Sequence, residues 1–198
     1  LPICVVEHGL LELHDNVLLV DREPNEFDDL AIRFSAILDE FDIDHVFVSG
    51  YVAILTGRSR ATEDIDVLLE HIPAERITRL VERLESEALW GPAMPLDSMA
   101  EMLEDNIWIA REGEMVPHLE AKFVDDEYDH ASLENSITAR LTSVDAALPI
   151  GPLELQIAYK LYLATPKDFE DAYHLYSMFE KNLSVEKLER WVRELDVT

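Results

Sequence analysis

Apolar residues recur along the front of the chain with two different periods, which predicts a mixture of helices and strands. Over residues 26–41 they return every three or four positions with acids between them, as on an amphipathic helix. A similar stripe over 73–88 starts at a proline, a residue that the first turn of a helix accepts, and predicts a second helix. Shorter stretches predict the remaining elements: two or three strands within 1–20, strands at 45–49, 64–70, 106–111, 115–125, 138–144 and 146–150, and short helices at 50–55 and 97–104.

After Gly151 the pattern becomes wholly helical. Residues 152–164 form one apolar helix, and Thr165 and Ser184, two N-cap residue types, each precede a further helical stripe. We therefore predict an α/β (α+β) fold with a mixed sheet flanked by helices. The sheet and its helices occupy a body over residues 1–150, and a C-terminal helical segment, 151–198, packs on it.

Composition is that of a folded, water-soluble protein. Of 198 residues, 48% are hydrophobic and 29% charged, and no apolar run approaches the roughly 18 to 20 residues that a membrane span needs. The start of the sequence has no basic segment before its short apolar stretch, so we expect no signal peptide and a cytoplasmic location. The single cysteine, Cys4, excludes an intramolecular disulfide and a cysteine-based metal site.

The charge balance is extreme, because 16 basic residues face 42 acids and leave a formal net charge of −26. Such a surface repels itself at low salt and is tolerated best among concentrated counterions, so we hypothesise a halophilic cytoplasm. Phosphate binding depends on clustered Lys and Arg, so general DNA binding is excluded. Against this background Lys122, Lys160 and Lys167 stand out among only five lysines, although each also has acidic neighbours with which to pair.

Two carboxylates lie two residues apart in the stretch FVSGYVAILTGRSRATEDIDVLLE, residues 47–70. On a strand, Asp64 and Asp66 point to the same face and can hold a hard divalent cation, while Ile65 faces the core. Oxygen ligands without a Cys or His cluster favour Mg²⁺ or Mn²⁺ over zinc. Gly50, at the start of a short helix, is placed to let a phosphate approach the backbone.

This combination resembles the polymerase-β-like nucleotidyltransferase superfamily. Ser49-Gly50 followed by R-A-T-E-D-I-D, residues 60–66, is most similar to its small prokaryotic branch, which includes AbiEii and MenT-type toxins of toxin-antitoxin pairs. A lysine-bearing helix followed by K-D-F-E-D, residues 167–171, is similar to that branch's downstream motif. The resemblance spans roughly residues 45–178 and implies a nucleotidyltransferase-like sheet.

The resemblance implies a role for individual residues. Asp64, Asp66 and Glu120 match the catalytic and metal-binding carboxylates, with Glu120 in place of the commoner Asp. The nucleotide-binding positions matched by the resemblance are Ser49, in place of the usual Gly, Gly50, Arg60, Thr62, Lys160 and Asp168. Asp168 and Asp171 either hold Lys160 and Lys167 or touch the base.

The implied activity is transfer of a nucleoside monophosphate from an NTP to an acceptor hydroxyl, with Mg²⁺ or Mn²⁺ as cofactor. The acceptor would be RNA, such as tRNA, or a protein, and the chain would be the toxin partner of an antitoxin. An alternative is a non-catalytic nucleotide-binding or protein-interaction module that keeps the fold, as the departures at Ser49 and Glu120 suggest.

Simpler interpretations stand beside these. In a chain with 42 acids, Asp-x-Asp pairs such as Asp42 and Asp44 also arise in solvated turns, so the motif can belong to an acidic surface with no site. We expect Arg58 to be solvated or ion-paired. We expect His118 and His174 to be partly buried and hydrogen-bonded. Four tyrosines fall at helical spacing and are expected to pack between helices rather than to form a base-stacking platform: Tyr159, Tyr162, Tyr173 and Tyr176. The tryptophans are expected in the core or in subunit contacts: Trp90, Trp108 and Trp191.

Overall fold

A computed structural model of the chain describes residues 4–6, 9–59 and 62–197, which form one mixed sheet with helices on its faces. The strands are β1 (Cys4–Val6), β2 (Gly9–His14), β3 (Val17–Asp21), β4 (His45–Phe47), β5 (Asp64–Leu69), β6 (Leu89–Trp90), β7 (Ile107–Arg111), β8 (His118–Phe123), β9 (Ile137–Leu141) and β10 (Ala146–Ile150). The helices are α1 (Glu26–Glu40), α2 (Gly50–Leu55), α3 (Ala74–Ser86), α4 (Met99–Met102), α5 (Glu127–Glu134), α6 (Leu153–Leu163), α7 (Pro166–Phe179) and α8 (Val185–Glu194), with a 3-10 turn at Leu96–Ser98 before α4.

The strands follow the order β1-β2-β3-β9-β10-β4-β5-β8-β7-β6 across the sheet. Parallel pairs β3–β9, β10–β4 and β5–β8 alternate with antiparallel neighbours. The parallel β5–β8 pair lies inside the sheet, two strands from its β6 edge, and runs in register from Asp64 opposite His118 to Leu69 opposite Phe123. Consecutive positions alternate between the two faces of this pair, so every second residue of both strands shares one face.

Side-chain caps explain where the longer helices begin. Asn25 accepts from the backbone N–H groups of Phe27 and Asp28, and the Asp28 carboxylate accepts from the Asn25 N–H, which completes a capping box before α1. Thr165 accepts from the Asp168 N–H at the start of α7, and Ser184 accepts from the Lys187 N–H at the start of α8. Both N-caps predicted from the sequence are therefore confirmed.

The core lies mainly on the face of the sheet opposite the Asp64 and Asp66 side chains. Ile65 and Val67 of β5 point into it and are almost fully buried, as predicted for Ile65. They share one cluster with the buried stripe of α1 and with Leu153 and Ile157 of α6. A smaller cluster of Val46, Leu68 and Val124 forms on the carboxylate face, where Leu133 of α5 packs against it. The carboxylates thus stand at the border of a second, thinner apolar layer.

The structure confirms the mixed α/β class with a helical C-terminal segment, but two elements were not predicted. β6 has only two residues, and α5 (EYDHASLE) buries only Ser132, so neither has a clear apolar period. The predicted boundary after residue 150 falls between β10 and α6. The division of the chain into a body and a C-terminal segment at this point stays a prediction. None of the helices in the described residues combines the length and apolar character of a membrane span.

The aromatic residues do not all follow the sequence prediction. Tyr162, Tyr173 and Tyr176 are exposed, with Tyr173 at 75%, so the prediction that they pack between helices was wrong. Trp191 is buried beneath α6, as expected. Trp90 is more than one-third exposed at the short β6 edge, where its indole N–H donates to the Glu114 carbonyl.

Candidate active site

Three carboxylates meet on one face of the parallel β5–β8 pair. Asp64 and Asp66 point to this face because they are two residues apart on β5, and Glu120 lies directly opposite Asp66 on β8. All three side chains are partly buried, and one oxygen of each lies within 4.8 Å of the others. Asp64 and Asp66 share one face, as the sequence predicted, and Glu120, 54 positions after Asp66, completes a single acidic cluster.

The electrostatics of this cluster are unfavourable in the protein alone. Burial, followed by the negative charges of Asp64 and Glu120, raises the pKa of Asp66 to about 6. A hydrogen bond from Ser49 and the positive charge of Lys160 oppose this rise without cancelling it. A bound cation would remove the mutual repulsion, so the donor set fits a hard divalent metal ion.

The ligand chemistry agrees with Mg²⁺ or Mn²⁺. In the described residues, Asp64, Asp66 and Glu120 are the one group of three or more Asp, Glu, His or Cys side chains placed to share an ion. All its donors are carboxylate oxygens, which Mg²⁺ and Mn²⁺ prefer and zinc does not require. The Thr62 hydroxyl donates to Asp64 and orients that carboxylate. Arg60, predicted to contact the nucleotide, lies outside the described residues.

His118 stands closer to the carboxylates than the sequence suggested. It is buried on β8, stacked on Trp108 with ring centroids 4.2 Å apart, and its Nδ1 lies 3.0 Å from the Met115 carbonyl oxygen. Its Nε2 lies 3.5 Å from a Glu120 oxygen. The period-two pattern of β8 already placed His118 and Glu120 on one face, and this was the signal that could have linked them.

Ser49 occupies a strained turn beside the cluster. Its φ of 60° and ψ of −130° belong to a region that glycine adopts readily and other residues rarely do. Its backbone N–H donates to Gln156 Oε1 at 2.7 Å, and its hydroxyl bonds Asp66. Gly50 follows, buried, at the start of the six-residue helix α2. The turn therefore joins the end of β4 to the candidate metal site.

Gln156 is a residue that sequence reasoning missed. It is buried on α6, and its side chain lies so close to Gly151 that a Cβ at that glycine would stand 2.3 Å from the amide nitrogen. Gly151 thus permits the amide to reach Ser49. A glutamine within an apolar helix, four residues after a Gly-Pro pair, was the available signal in the sequence.

Lys160 is held by a buried network of opposite charges. Its Nζ lies 2.8 Å from Asp168 and 3.1 Å from Asp171, and the lysine is 3% exposed. Asp171 also accepts from Arg58, which follows α2, and Arg58 pairs with Glu170 as well. Of the two roles open for Asp168 and Asp171, the structure supports holding Lys160. The ion-paired role expected for Arg58 is confirmed.

A cleft of about 200 Å³ opens onto the carboxylates. Its lining includes Ser49 and Tyr159, together with Asp105 and Asn106, which precede β7. Lys122 and Asp129 also line the cleft, and they form an ion pair of 2.7 Å. A second, smaller recess of about 50 Å³ adjoins it and is lined by Ser49, Gln156 and Lys160 among others. Of the predicted site residues, Asp66 and Glu120 therefore line the first cavity, Lys160 lines the second, and Ser49 lines both.

The fold is shared with proteins of known structure. No protein-family model matches the chain, and no curated protein does. An antigenic nucleotidyltransferase-like protein from Paracoccidioides brasiliensis is 15% identical, with a TM-score of 0.53 over 84% of this chain and 85% of that one. The antibiotic-resistance factor ANT(2'')-Ia is 16% identical in its solution structure, with a TM-score of 0.53 over 87% of this chain and 93% of that one. Its crystal structure in complex with adenylyl-2''-tobramycin is 19% identical, with a TM-score of 0.53 over 85% and 95%.

At sequence identities of 15% to 19%, these similarities concern the fold alone, and they show that the chain has a nucleotidyltransferase-like fold. This agrees with the resemblance to the polymerase-β-like superfamily that the sequence indicated. The narrower resemblance to AbiEii and MenT-type toxins stays a prediction, and so do the roles assigned to individual site residues.

Proposed function

We propose that the protein is a metal-dependent nucleotidyltransferase that moves a nucleoside monophosphate from an NTP to an acceptor hydroxyl. The observation that carries this proposal is the in-register placement of Asp66 opposite Glu120, with Asp64 on the same face, in a nucleotidyltransferase-like fold. Chance acidic pairs do not explain this arrangement, because Asp42 and Asp44 are solvent-exposed whereas these three partly buried carboxylates converge.

The side chains divide the work of the transfer. Asp64, Asp66 and Glu120 would hold Mg²⁺ or Mn²⁺, which in such sites neutralises the developing charge and lowers the pKa of the attacking hydroxyl. Glu120 also accepts the proton that the acceptor hydroxyl loses. Lys160, held in place by its ion pairs with Asp168 and Asp171, lines the recess next to Ser49 and would contact the phosphates there. Thr62 and Ser49 hold the carboxylates in place through their hydroxyls.

The setting of this activity is also proposed. The chain's net charge of −26 supports a role in a salt-rich cytoplasm, where counterions screen its surface. The sequence resemblance supports a toxin that modifies RNA or a protein and is restrained by an antitoxin. Both stay predictions.

A transfer assay tests the reaction class. Each α-labelled NTP is incubated with Mg²⁺ or Mn²⁺ and candidate acceptors in dilute buffer and in molar KCl, beside the Asp64→Asn, Asp66→Asn double variant. We expect label on an acceptor with the wild type alone. Equal transfer by the folded double variant would refute the proposal.

A non-catalytic nucleotide-binding or interaction module is the second candidate. It is favoured by one observation: the Ser49 backbone N–H, which would otherwise face a phosphate, is already taken by Gln156. NTP binding measured with and without Mg²⁺ separates the two candidates. The enzyme requires the ion for tight binding, whereas an interaction module is indifferent to it.

A further inference from the structure

The turn at Ser49 has a conformation that a serine does not adopt unaided. Its φ of 60° and ψ of −130° are costly for any residue with a Cβ, and such a backbone persists only where the surrounding structure fixes it. Glycine, the usual residue at this position in the family that the sequence resembles, would adopt the turn without help. Other contacts in this protein must therefore hold the serine in place.

Backbone hydrogen bonds fix the chain just before this turn on both sides. The Val48 N–H donates to the Asp66 carbonyl oxygen at 3.0 Å, so the chain reaches the turn directly beside β5. The Gly151 N–H donates to the Phe47 carbonyl oxygen at 2.9 Å, which ties the segment leading into α6 to the same stretch. Ser49 thus follows a segment that is fixed between β5 and the start of α6.

Gln156 supplies a further contact, to the turn itself. It is 6% exposed, and its Oε1 accepts from the Ser49 backbone N–H at 2.7 Å, a short hydrogen bond in a partly buried place. Gly151 makes room for it, because a Cβ there would stand 2.3 Å from the Gln156 amide nitrogen and 2.9 Å from its Cδ. Gly151 and Gln156 therefore work as a pair, since the first leaves the space that the second fills.

The Ser49 hydroxyl extends this restraint to the carboxylates. It donates to Asp66, the carboxylate that lies opposite Glu120. Groups that orient a metal ligand typically change metal affinity about 10- to 100-fold when they are removed. The hydroxyl keeps its direction only while the backbone stays in the strained conformation, so the orientation of Asp66 depends on Gln156.

We propose that Gln156 is a positioning residue of the metal site: it holds the Ser49 backbone so that the Ser49 hydroxyl orients Asp66 toward the ion. This rests on the proposed function, in which Asp66 is a metal ligand. In an enzyme, the hydrogen bond that occupies the Ser49 N–H then has a purpose, because a glycine at this position would leave Asp66 without a hydroxyl donor. Gln156 lies one turn before Lys160 on α6, so one face of this helix contributes both residues to the recess beside Ser49.

The test measures Mn²⁺ binding by electron paramagnetic resonance, in molar KCl to screen weak binding to the many surface acids. Gln156→Met keeps the length of the side chain but removes the amide oxygen. Gly151→Ala keeps the glutamine but displaces its amide from Ser49. Glu154→Met is the matched control. Glu154 also lies on α6 and accepts from a backbone N–H, that of Ser184 at 2.8 Å, but it lines neither cavity.

We expect Gln156→Met and Gly151→Ala to raise the Kd for Mn²⁺ about tenfold, and Glu154→Met to leave it unchanged. In transfer assays, the Mn²⁺ concentration that gives half-maximal activity should rise by the same factor, while kcat at saturating Mn²⁺ stays within about twofold. Without metal, hydrogen exchange of the Ser49 amide should be faster in the first two variants than in the wild type, because this amide has lost its acceptor.

A double-mutant cycle shows whether Gln156 acts through Ser49. Ser49→Gly removes both the hydroxyl and the need for a restraint, so adding Gln156→Met to it should change the Kd for Mn²⁺ by less than about twofold. A further tenfold loss in the double variant would show that Gln156 acts independently of Ser49, and it would overturn the proposal.

An unchanged Kd for Mn²⁺ in the folded Gln156→Met and Gly151→Ala variants would also overturn the proposal. A lower Tm with no change in this Kd would assign Gln156 a purely structural role. Failure of the wild type to bind Mn²⁺ would instead refute the proposed function, and this separates the two failures.

Discussion

Asp66 on β5 and Glu120 on β8 lie directly opposite each other in a parallel register, with the carboxylate of Asp64 beside them. This relationship brings like charges together in a partly buried place. Repulsion among these carboxylates therefore destabilises the metal-free protein. Because a bound cation would relieve that repulsion, the same arrangement favours cation binding.

Removing one charge of the cluster should stabilise the fold. Folded Asp66 keeps its proton up to a pH of about 6, whereas the unfolded chain loses it near 4, so stability declines as pH rises through this window. At pH 7 we expect Asp66→Asn to raise the free energy of unfolding by on the order of 1–2 kcal/mol while abolishing transfer. Urea unfolding without metal measures this, with Asp97→Asn as the control, because Asp97 is an exposed aspartate outside the carboxylate cluster. A less stable Asp66→Asn variant would contradict the electrostatic account.

Metal binding should depend on pH through the same carboxylate. Mg²⁺ and Mn²⁺ bind the deprotonated form, so protons compete with the metal as pH falls below about 6. The rise in Tm on adding metal should be full at pH 7.5 and largely lost at pH 5. Thermal scans with and without metal measure this difference. An equal rise at both pH values would show that Asp66 is not a ligand.

The buried network around Lys160 should be costly to break. Asp171 is fully buried and accepts from both Lys160 and Arg58, so Asp171→Asn leaves two cations short of a partner. We expect a loss of about 3 kcal/mol in the free energy of unfolding. The matched control is Glu170→Gln, because Glu170 pairs with the same arginine but is 69% exposed, and its loss should cost within about 0.5 kcal/mol. Equal effects of the two variants would argue against a structural network.

The strained turn at Ser49 predicts different effects for glycine and alanine. Both substitutions remove the hydroxyl that bonds Asp66, but only glycine relieves the backbone at a φ of 60° and ψ of −130°. Ser49→Gly should therefore be more stable than Ser49→Ala by about 1 kcal/mol. Chemical denaturation of the two variants checks this. The reverse order would mean that the turn is not strained.

Salt should stabilise this acidic chain. The Debye length falls from about 10 Å at 0.1 M to about 3 Å at 1 M, so molar KCl screens most repulsion among the surface acids. We expect the Tm to rise between dilute buffer and molar KCl, with glycerol of equal osmolarity as the uncharged control. A Tm that is equal in dilute buffer and molar KCl would refute the halophilic hypothesis.

Most of the fold could be predicted because its elements carry a clear period and clear caps. Local sequence features determine these elements: the apolar stripes of α1 and α3, and the N-caps Thr165 and Ser184. The structure contains each of them as predicted. The helix α5 could not be found this way, because it is polar on most sides and buries only Ser132. The exposure of Tyr173 also escaped prediction, since a helical spacing of tyrosines does not say whether another helix covers them.

The part of the candidate site that could be predicted is the part formed by residues close together in the sequence. Two carboxylates two residues apart on a strand must share a face, so Asp64 and Asp66 followed from spacing alone. Glu120 required the family resemblance, because strand pairing between β5 and β8 is a long-range property. The contacts from Gln156 to Ser49 and from Arg58 to Asp171 join residues more than one hundred positions apart, and no local pattern encodes them.

The parallel pairing of β5 and β8 also has a consequence for how the protein folds. Parallel strands need a long crossover, and here the chain between Leu69 and His118 must be arranged before the two strands can meet. Glu120 meets Asp64 and Asp66 only when these two strands pair, so the repulsion among the three carboxylates opposes that pairing and not the unfolded chain. A divalent cation present during refolding should therefore favour the pairing of β5 with β8 and accelerate folding itself.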